Sequence, residues 1–169
     1  MTAMFRMIEH FLKREKGVAA VELALVTPIF LMLFLSMIEL GHMIYYSITI
    51  EKALRSAATW AGRNEVLTPE VILATQNIAM TGNPNGGDYL VRGWAEPGAE
   101  VFVTESNFAY TMSGKSENIY ETVYHVKVEV PYVPVVDILV PALAYLMKTS
   151  FRDGNYIIVL QHDQAMIGD

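Results

Sequence analysis

Apolar residues are concentrated in one long stretch near the start of the chain. From Val18 the sequence reads VAAVELALVTPIFLMLFLSMIELGHMIYY, ending at Tyr46, and it includes sixteen consecutive uncharged residues, 23–38. With the apolar residues that follow Glu39, the stretch exceeds the roughly 20 residues that span a bilayer. A buried helix of a soluble domain would need a protein core on every side, which 169 residues are too few to build. The pattern predicts a single membrane-spanning helix.

The helical pattern continues beyond this stretch with smaller side chains. Apolar residues recur at helical spacing on one face, opposite charged and polar residues. The apolar face consists of Ile50, Ala53, Leu54, Ala57, Ala58 and Ala61. We therefore expect one unbroken helix from Val18 to Ala61, about 66 Å long at 1.5 Å per residue. Its small-residue face is expected to pack against the chain's own domain rather than against a partner.

A second helix is predicted after residue 67. Thr68 suits the N-cap, Pro69 the first helical position and Glu70 the first turn. The helix should end near Gly82, where Gly-Asn-Pro-Asn-Gly-Gly forms a turn cluster. The cluster lacks the Gly-Lys-Ser/Thr ending of a phosphate-binding loop, so we interpret it as a plain turn.

The last third of the chain predicts a small sheet. Val101–Thr104 has the pattern of a short strand, and residues 124–132 alternate strictly between apolar and polar positions, which is typical of a strand with one buried face. Tyr156–Leu160 is the last predicted strand, and Leu139–Met147 is a candidate short buried helix. The predicted fold class is α+β, with a long N-terminal membrane-spanning helix that continues into a small domain with a short antiparallel sheet.

Charge sets the expected orientation in the membrane. Four of the twelve basic residues lie in the first 16 positions, whereas no positive excess follows the helix. By the positive-inside rule the N-terminus stays in the cytoplasm. The sequence thus divides into a basic leader (1–17), a transmembrane helix (18–47) and an extracytoplasmic domain (48–169). Tyr45 and Tyr46 are expected at the outer membrane interface, and Glu39 is expected to reach solvent there by snorkelling.

Composition disfavours several functions. Beyond residue 17 the chain has sixteen acidic and eight basic residues, and this negative charge disfavours a nucleic-acid partner. It has no cysteine, so thiolate metal sites are excluded, and it has neither H-x-x-x-H nor G-x-S-x-G. His162-Asp163 is interpreted as a solvated turn pair, since no motif supplies a nucleophile. We expect no enzyme activity, no cofactor and no metal.

The junction between leader and helix resembles the processing site of type IV pilins and pseudopilins. The leader ends in Lys16-Gly17, and Val18-Ala-Ala-Val-Glu22 follows. In that pattern a prepilin peptidase cuts after the glycine, and glutamate is the fifth residue of the mature chain. An ordinary secretory signal is disfavoured because no A-x-A site follows the apolar region.

The finer resemblance is to the TadE-like minor pilins of the tight adherence (Tad/Flp) pilus. It is carried by the A-V-E-x-A-L-V-x-P core (Ala20 to Pro28) and by Glu39-x-Gly41, and it covers roughly residues 14–63. Two departures, Glu22-Leu where major pilins have Glu-Tyr and Val18 where many pilins have Phe, favour a minor component. The resemblance implies a structural subunit that assembles in or primes a pilus used in surface adhesion. Its implied partners are a prepilin peptidase, other pilin subunits and membrane lipid.

Four positions carry the expected site. Gly17 and Val18 form the processing site, and cleavage there would expose an ammonium on Val18 one turn from Glu22. A carboxylate in an apolar helix is costly in lipid, so Glu22 is expected to pair with that ammonium in its own or a neighbouring helix; the alternative is that it lies unpartnered at the cytoplasmic interface. Pro28 removes one helical hydrogen bond and should kink the helix. The alternative function is an uncleaved single-pass anchor for a scaffold or binding domain.

Overall fold

The computed structural model describes residues 15–111, 118–136, 150–152 and 155–166. The helices are α1 (Glu15–Gly62) and α2 (Pro69–Thr81), with a 3₁₀ turn at Arg92–Ala95, and the strands are β1 (Glu100–Thr111), β2 (Asn118–Pro131), β3 (Ser150–Arg152) and β4 (Asn155–Ala165). Most of the leader and the predicted helix Leu139–Met147 lie outside the described residues. The chain forms two compact units, which divide between Gly41 and His42.

Helix α1 runs without a break over the whole predicted length. Its 48 residues extend roughly 72 Å at 1.5 Å per residue. Pro28 lies inside it, and the kink expected there stays a prediction. Within the described part of the chain this is the one helix long and apolar enough to cross a membrane, and none of its most apolar window is buried. The described residues therefore contain one candidate membrane span, near the N-terminus.

Hydroxyl groups in the apolar part of α1 bond back to the helix itself. Thr27 Oγ1 donates to the carbonyl of Leu23 (2.6 Å), and Ser36 Oγ donates to that of Met32 (2.8 Å). Each hydroxyl is thus satisfied without water or a second chain. These polar residues are compatible with a helix surrounded by hydrocarbon.

Helix α2 begins and ends where the sequence predicts. Thr68 is the N-cap, and its side chain accepts a hydrogen bond from the Val71 N–H; Pro69 is the first helical residue. The helix stops at Gly82, which has a φ of 76°, a left-handed conformation that glycine adopts without steric cost. The Gly82 N–H donates to the carbonyl of Ile78 at 2.8 Å.

The sheet has strand order β1-β2-β4-β3, and all neighbouring strands are antiparallel. This confirms the α+β fold class. β1 and β2 form a long hairpin whose pairs run from Glu100 opposite Glu129 to Thr111 opposite Asn118, so both strands are longer than predicted. The ends of the two strands near the hairpin turn are rich in polar residues, so the apolar pattern does not predict them as strand. Backbone hydrogen bonds form there whatever the side chains are.

The core of the second unit lies between the sheet and the last turns of α1. The apolar face of β2, consisting of Tyr124, Val126, Val128 and Val130, has no exposed surface. The predicted small-residue face of α1 is buried against it, and Ala57, Ala58 and Ala61 are each 0 % exposed. Both packing predictions are confirmed.

Two expectations about α1 are wrong. Tyr46 is not an interface residue, because only 3 % of it is exposed and it belongs to the domain core, whereas Tyr45 is 67 % exposed. Tyr46 shares a helical face with Ile50, which explains its burial. Glu39 is 0 % exposed and so is not solvated by snorkelling. Glu39 lies on the same face of α1 as Tyr46 and Ile50. A count of apolar residues does not show which face of a helix is buried in the domain and which faces lipid.

Candidate processing and assembly site

The predicted processing site lies within helix α1. Gly17 is the third described residue of this helix, and Val18 follows with 43 % of its surface exposed. A helical glycine costs roughly 1 kcal/mol relative to alanine, so Gly17 lowers the local stability of the helix at the predicted cleavage point.

Glu22 lies one turn beyond Val18 on an exposed part of the helix. Its neighbours on α1 are apolar and exposed, with Leu23 at 67 % and Leu25 at 70 %. The carboxylate is thus a single charge within an apolar surface. In the intact chain the nitrogen of Val18 is an amide, so a Val18 ammonium can pair with Glu22 only after cleavage at Gly17.

The apolar surface of α1 continues well beyond Glu22. Large exposed apolar side chains along it include Val26, Ile29, Phe30, Leu31, Met32, Leu33, Phe34, Met37, Ile38, Leu40, Ile44 and Ile48. They lie on all sides of the helix rather than on one stripe, which is the pattern of a helix surrounded by lipid or by other helices. In water such a surface would drive aggregation.

Tyr46 ties α1 to the domain through two hydrogen bonds that the sequence did not indicate. Its hydroxyl donates to the carbonyl of Pro131 at the end of β2 (2.8 Å) and accepts from the Gly93 N–H in the 3₁₀ turn (2.7 Å). A Cβ on Gly93 would overlap both the Pro131 oxygen and the Tyr46 hydroxyl, so only glycine fits. Nearby, His42 Nδ1 lies 2.9 Å from the hydroxyl of Tyr132.

The interpretation of His162-Asp163 as a solvated turn pair is wrong in its location. Both residues lie inside β4, where consecutive side chains point to opposite faces of the sheet, so they are not paired with each other. Asp163 instead lies 2.7 Å from Nδ1 of His125 on β2. No local sequence pattern indicates this contact, because strand register brings together residues that are far apart in the chain.

Comparison with known proteins identifies the N-terminal part. A family model described as TadE-like protein matches residues 17–59, which begins at the predicted processing glycine and covers most of α1. No curated protein matches the chain, and no solved structure matches it either. The match confirms the resemblance that the A-V-E-x-A-L-V-x-P motif indicated: over residues 17–59 the chain is similar to the TadE-like family.

Proposed function

We propose that this chain is a minor pilin or pseudopilin that assembles in, or primes, a Tad-type pilus used in surface adhesion. A prepilin peptidase removes the leader after Gly17, and the mature chain begins at Val18. The observation that carries the proposal is the family match, which starts at Gly17 and runs along α1. The domain beyond His42 would lie outside the cytoplasm.

The apolar surface of α1 supports a helix that moves from lipid into a bundle. Because exposed side chains such as Phe30 (66 % exposed) and Met32 (59 %) lie on different sides, the helix can exchange lipid contacts for contacts with neighbouring helices. Burial drives little of this exchange, since lipid and helix surface are similarly apolar. A specific polar contact is therefore needed to select the partner and the register.

Glu22 supplies that contact in the proposal. Its carboxylate would pair with the Val18 ammonium of its own or a neighbouring mature subunit, within an environment where an unpaired charge is costly. The exposed position of Glu22 on α1 leaves it accessible to a second helix. Assembly would then require both cleavage and Glu22.

Replacement of Glu22 tests this role. Glu22→Ala should insert into the membrane at least as well as the wild type, because a desolvation cost is removed, but its recovery with partner subunits after crosslinking should fall at least about tenfold, the loss expected when roughly 1.4 kcal/mol of pairing is removed. Glu51→Ala is the matched control, since Glu51 is an exposed carboxylate later on α1 that pairs with Arg55. Membrane fractionation and the mass of the mature chain accompany both variants. Wild-type recovery of a correctly cleaved Glu22→Ala protein would contradict the proposed role.

A further inference from the structure

A line of side-chain hydrogen bonds crosses the outer face of the sheet, opposite the core. His125 on β2 has Nδ1 at 2.7 Å from Asp163 Oδ1 on β4 and Nε2 at 2.6 Å from Ser106 Oγ on β1. The register produces this arrangement, because His125 lies directly opposite both Asp163 and Thr104, and Ser106 is two residues beyond Thr104 on the same face. Three strands thus bring together a hydroxyl, an imidazole and a carboxylate.

The donor and acceptor roles follow from the carboxylate. Hydrogen bonds from Gln161 (2.9 Å) and then from His125 lower the pKa of Asp163, which is therefore ionised at neutral pH. An ionised carboxylate only accepts hydrogen bonds, so Nδ1 of His125 carries the ring proton. The other ring nitrogen of the neutral imidazole is then an acceptor, and the hydroxyl of Ser106 donates to it.

The hydroxyl is accessible, and apolar surface lies beside it. Ser106 is exposed, and His125 is half-buried. Phe108 and Phe102 lie on the same face of β1, two residues after and four residues before Ser106, and are 61 % and 41 % exposed. An acyl or aryl group next to Ser106 would find these rings within reach. The surface therefore suits an ester with an apolar substituent.

We propose that Ser106 is a nucleophile for acyl transfer from activated carboxylic esters, with His125 as its general base and Asp163 as the positioning residue. A nucleophile, a base within hydrogen-bond reach and a third group that orients the base are the arrangement that activates serine. The inference does not depend on the proposed pilus role, because it rests on the domain alone.

The reaction balances without a further reagent. Ser106 Oγ attacks the ester carbonyl carbon as its proton passes to Nε2 of His125, and collapse of the tetrahedral intermediate expels the alkoxide, which takes that proton and leaves as the alcohol. Water then attacks the acyl-serine and gives one proton to Nε2; collapse of the second tetrahedral intermediate releases the carboxylic acid, and Ser106 Oγ takes the proton back from Nε2. Asp163 stays ionised throughout and stabilises the imidazolium.

Because the site is on an open sheet face, water solvates the oxyanion. General-base assistance alone contributes about 10²- to 10⁴-fold, without the further factor that oriented donors to the oxyanion supply. This restricts the expected substrates to esters with good leaving groups. A search for short sequence motifs does not find this cluster, because Ser106 and Asp163 are separated from His125 by 19 and 38 positions.

Covalent labelling of the full chain in detergent tests the proposal. A fluorophosphonate should add once, at Ser106, with loss of fluoride, and peptide mass mapping should locate the adduct. Ser106→Ala should abolish this adduct, and His125→Gln should slow labelling and hydrolysis of p-nitrophenyl acetate at least about tenfold. Thr104→Ala removes a hydroxyl from the same face of β1 and is the matched control, with wild-type rates expected. Equal labelling of the wild type and His125→Gln, or an adduct that persists in Ser106→Ala, would overturn the proposal.

The positioning role of Asp163 has its own readout. Asp163→Asn can donate to Nδ1 and so favours the tautomer that carries its proton on Nε2, which should lower kcat about tenfold or more while KM is unchanged, and Asp163→Glu should restore part of the rate. An unchanged kcat in Asp163→Asn would contradict the assignment.

Discussion

Replacing Tyr46 with Phe removes a single oxygen atom from the junction between α1, the 3₁₀ turn and the end of β2. In the wild type this hydroxyl satisfies the N–H of Gly93 at 2.7 Å and the carbonyl of Pro131 at 2.8 Å, and Tyr46 is only 3 % exposed. Water therefore cannot readily replace the hydroxyl. The variant keeps the ring, so its packing in the core is unchanged and the loss is confined to the two hydrogen bonds.

The expected loss of stability in Tyr46→Phe follows from those two hydrogen bonds. Leaving a buried donor or acceptor unsatisfied costs about 1 to 3 kcal/mol each, partly offset because the hydroxyl itself no longer has to be desolvated. We expect Tyr46→Phe to lower the free energy of unfolding of the domain by about 2 to 4 kcal/mol, a large part of the 5 to 15 kcal/mol typical of a domain. Tyr45→Phe is the matched control, because Tyr45 is the neighbouring residue and is 67 % exposed, and its expected effect is within about 0.5 kcal/mol.

Urea unfolding of the full chain in detergent measures the difference. Trp94 is 5 % exposed and lies next to Gly93 in the 3₁₀ turn, so its fluorescence reports on this junction. A Trp60→Phe background removes the other tryptophan. If Tyr46→Phe shifts the unfolding midpoint no further than Tyr45→Phe, the two hydrogen bonds do not stabilise the junction and the argument from burial is refuted.

Two further predictions concern the domain's location and its response to acid. A reporter enzyme fused after Asp169 should be active only outside the cytoplasm, because the basic leader holds the N-terminus inside; activity in the cytoplasm would reverse the orientation. The pKa of Asp163 is lowered from 3.8, chiefly by Gln161 and then by His125, so its contribution to stability is full above pH 3.8 and is lost as the pH falls through the lowered value. Asp163→Asn should therefore flatten acid unfolding below pH 3.8, and an unchanged acid limb would contradict this.

Local periodicity explains what the sequence predicted well. A long apolar stretch followed by alanines at helical spacing predicts the unbroken helix α1, and Thr68-Pro69 predicts the start of α2. The buried face of β2 is predicted equally well, because the apolar residues from Tyr124 to Val130 alternate with polar residues. Each of these signals needs only neighbouring positions, so no knowledge of the tertiary structure is required.

The remaining features depend on which segments meet. Tyr46 follows an apolar run and so has the sequence signature of an interface aromatic, and only the packing of the 3₁₀ turn against β2 reveals its buried bonds to Gly93 and Pro131. The contact of His125 with Ser106 and Asp163 depends on strand register across β1, β2 and β4. A shift of one residue in either pairing would place these side chains on opposite faces, so residue types alone could not predict the cluster.

The intact mass of the chain purified from cells that carry the matching prepilin peptidase distinguishes a processed pilin from an uncleaved membrane anchor. Cells without that peptidase provide the control, in which the full-length chain should be recovered. With the peptidase present, we predict a mature chain that begins at Val18, with the leader through Gly17 removed and all of the apolar helix retained. Recovery of the full-length chain from both strains would contradict the proposed pilin function and would favour an uncleaved membrane anchor.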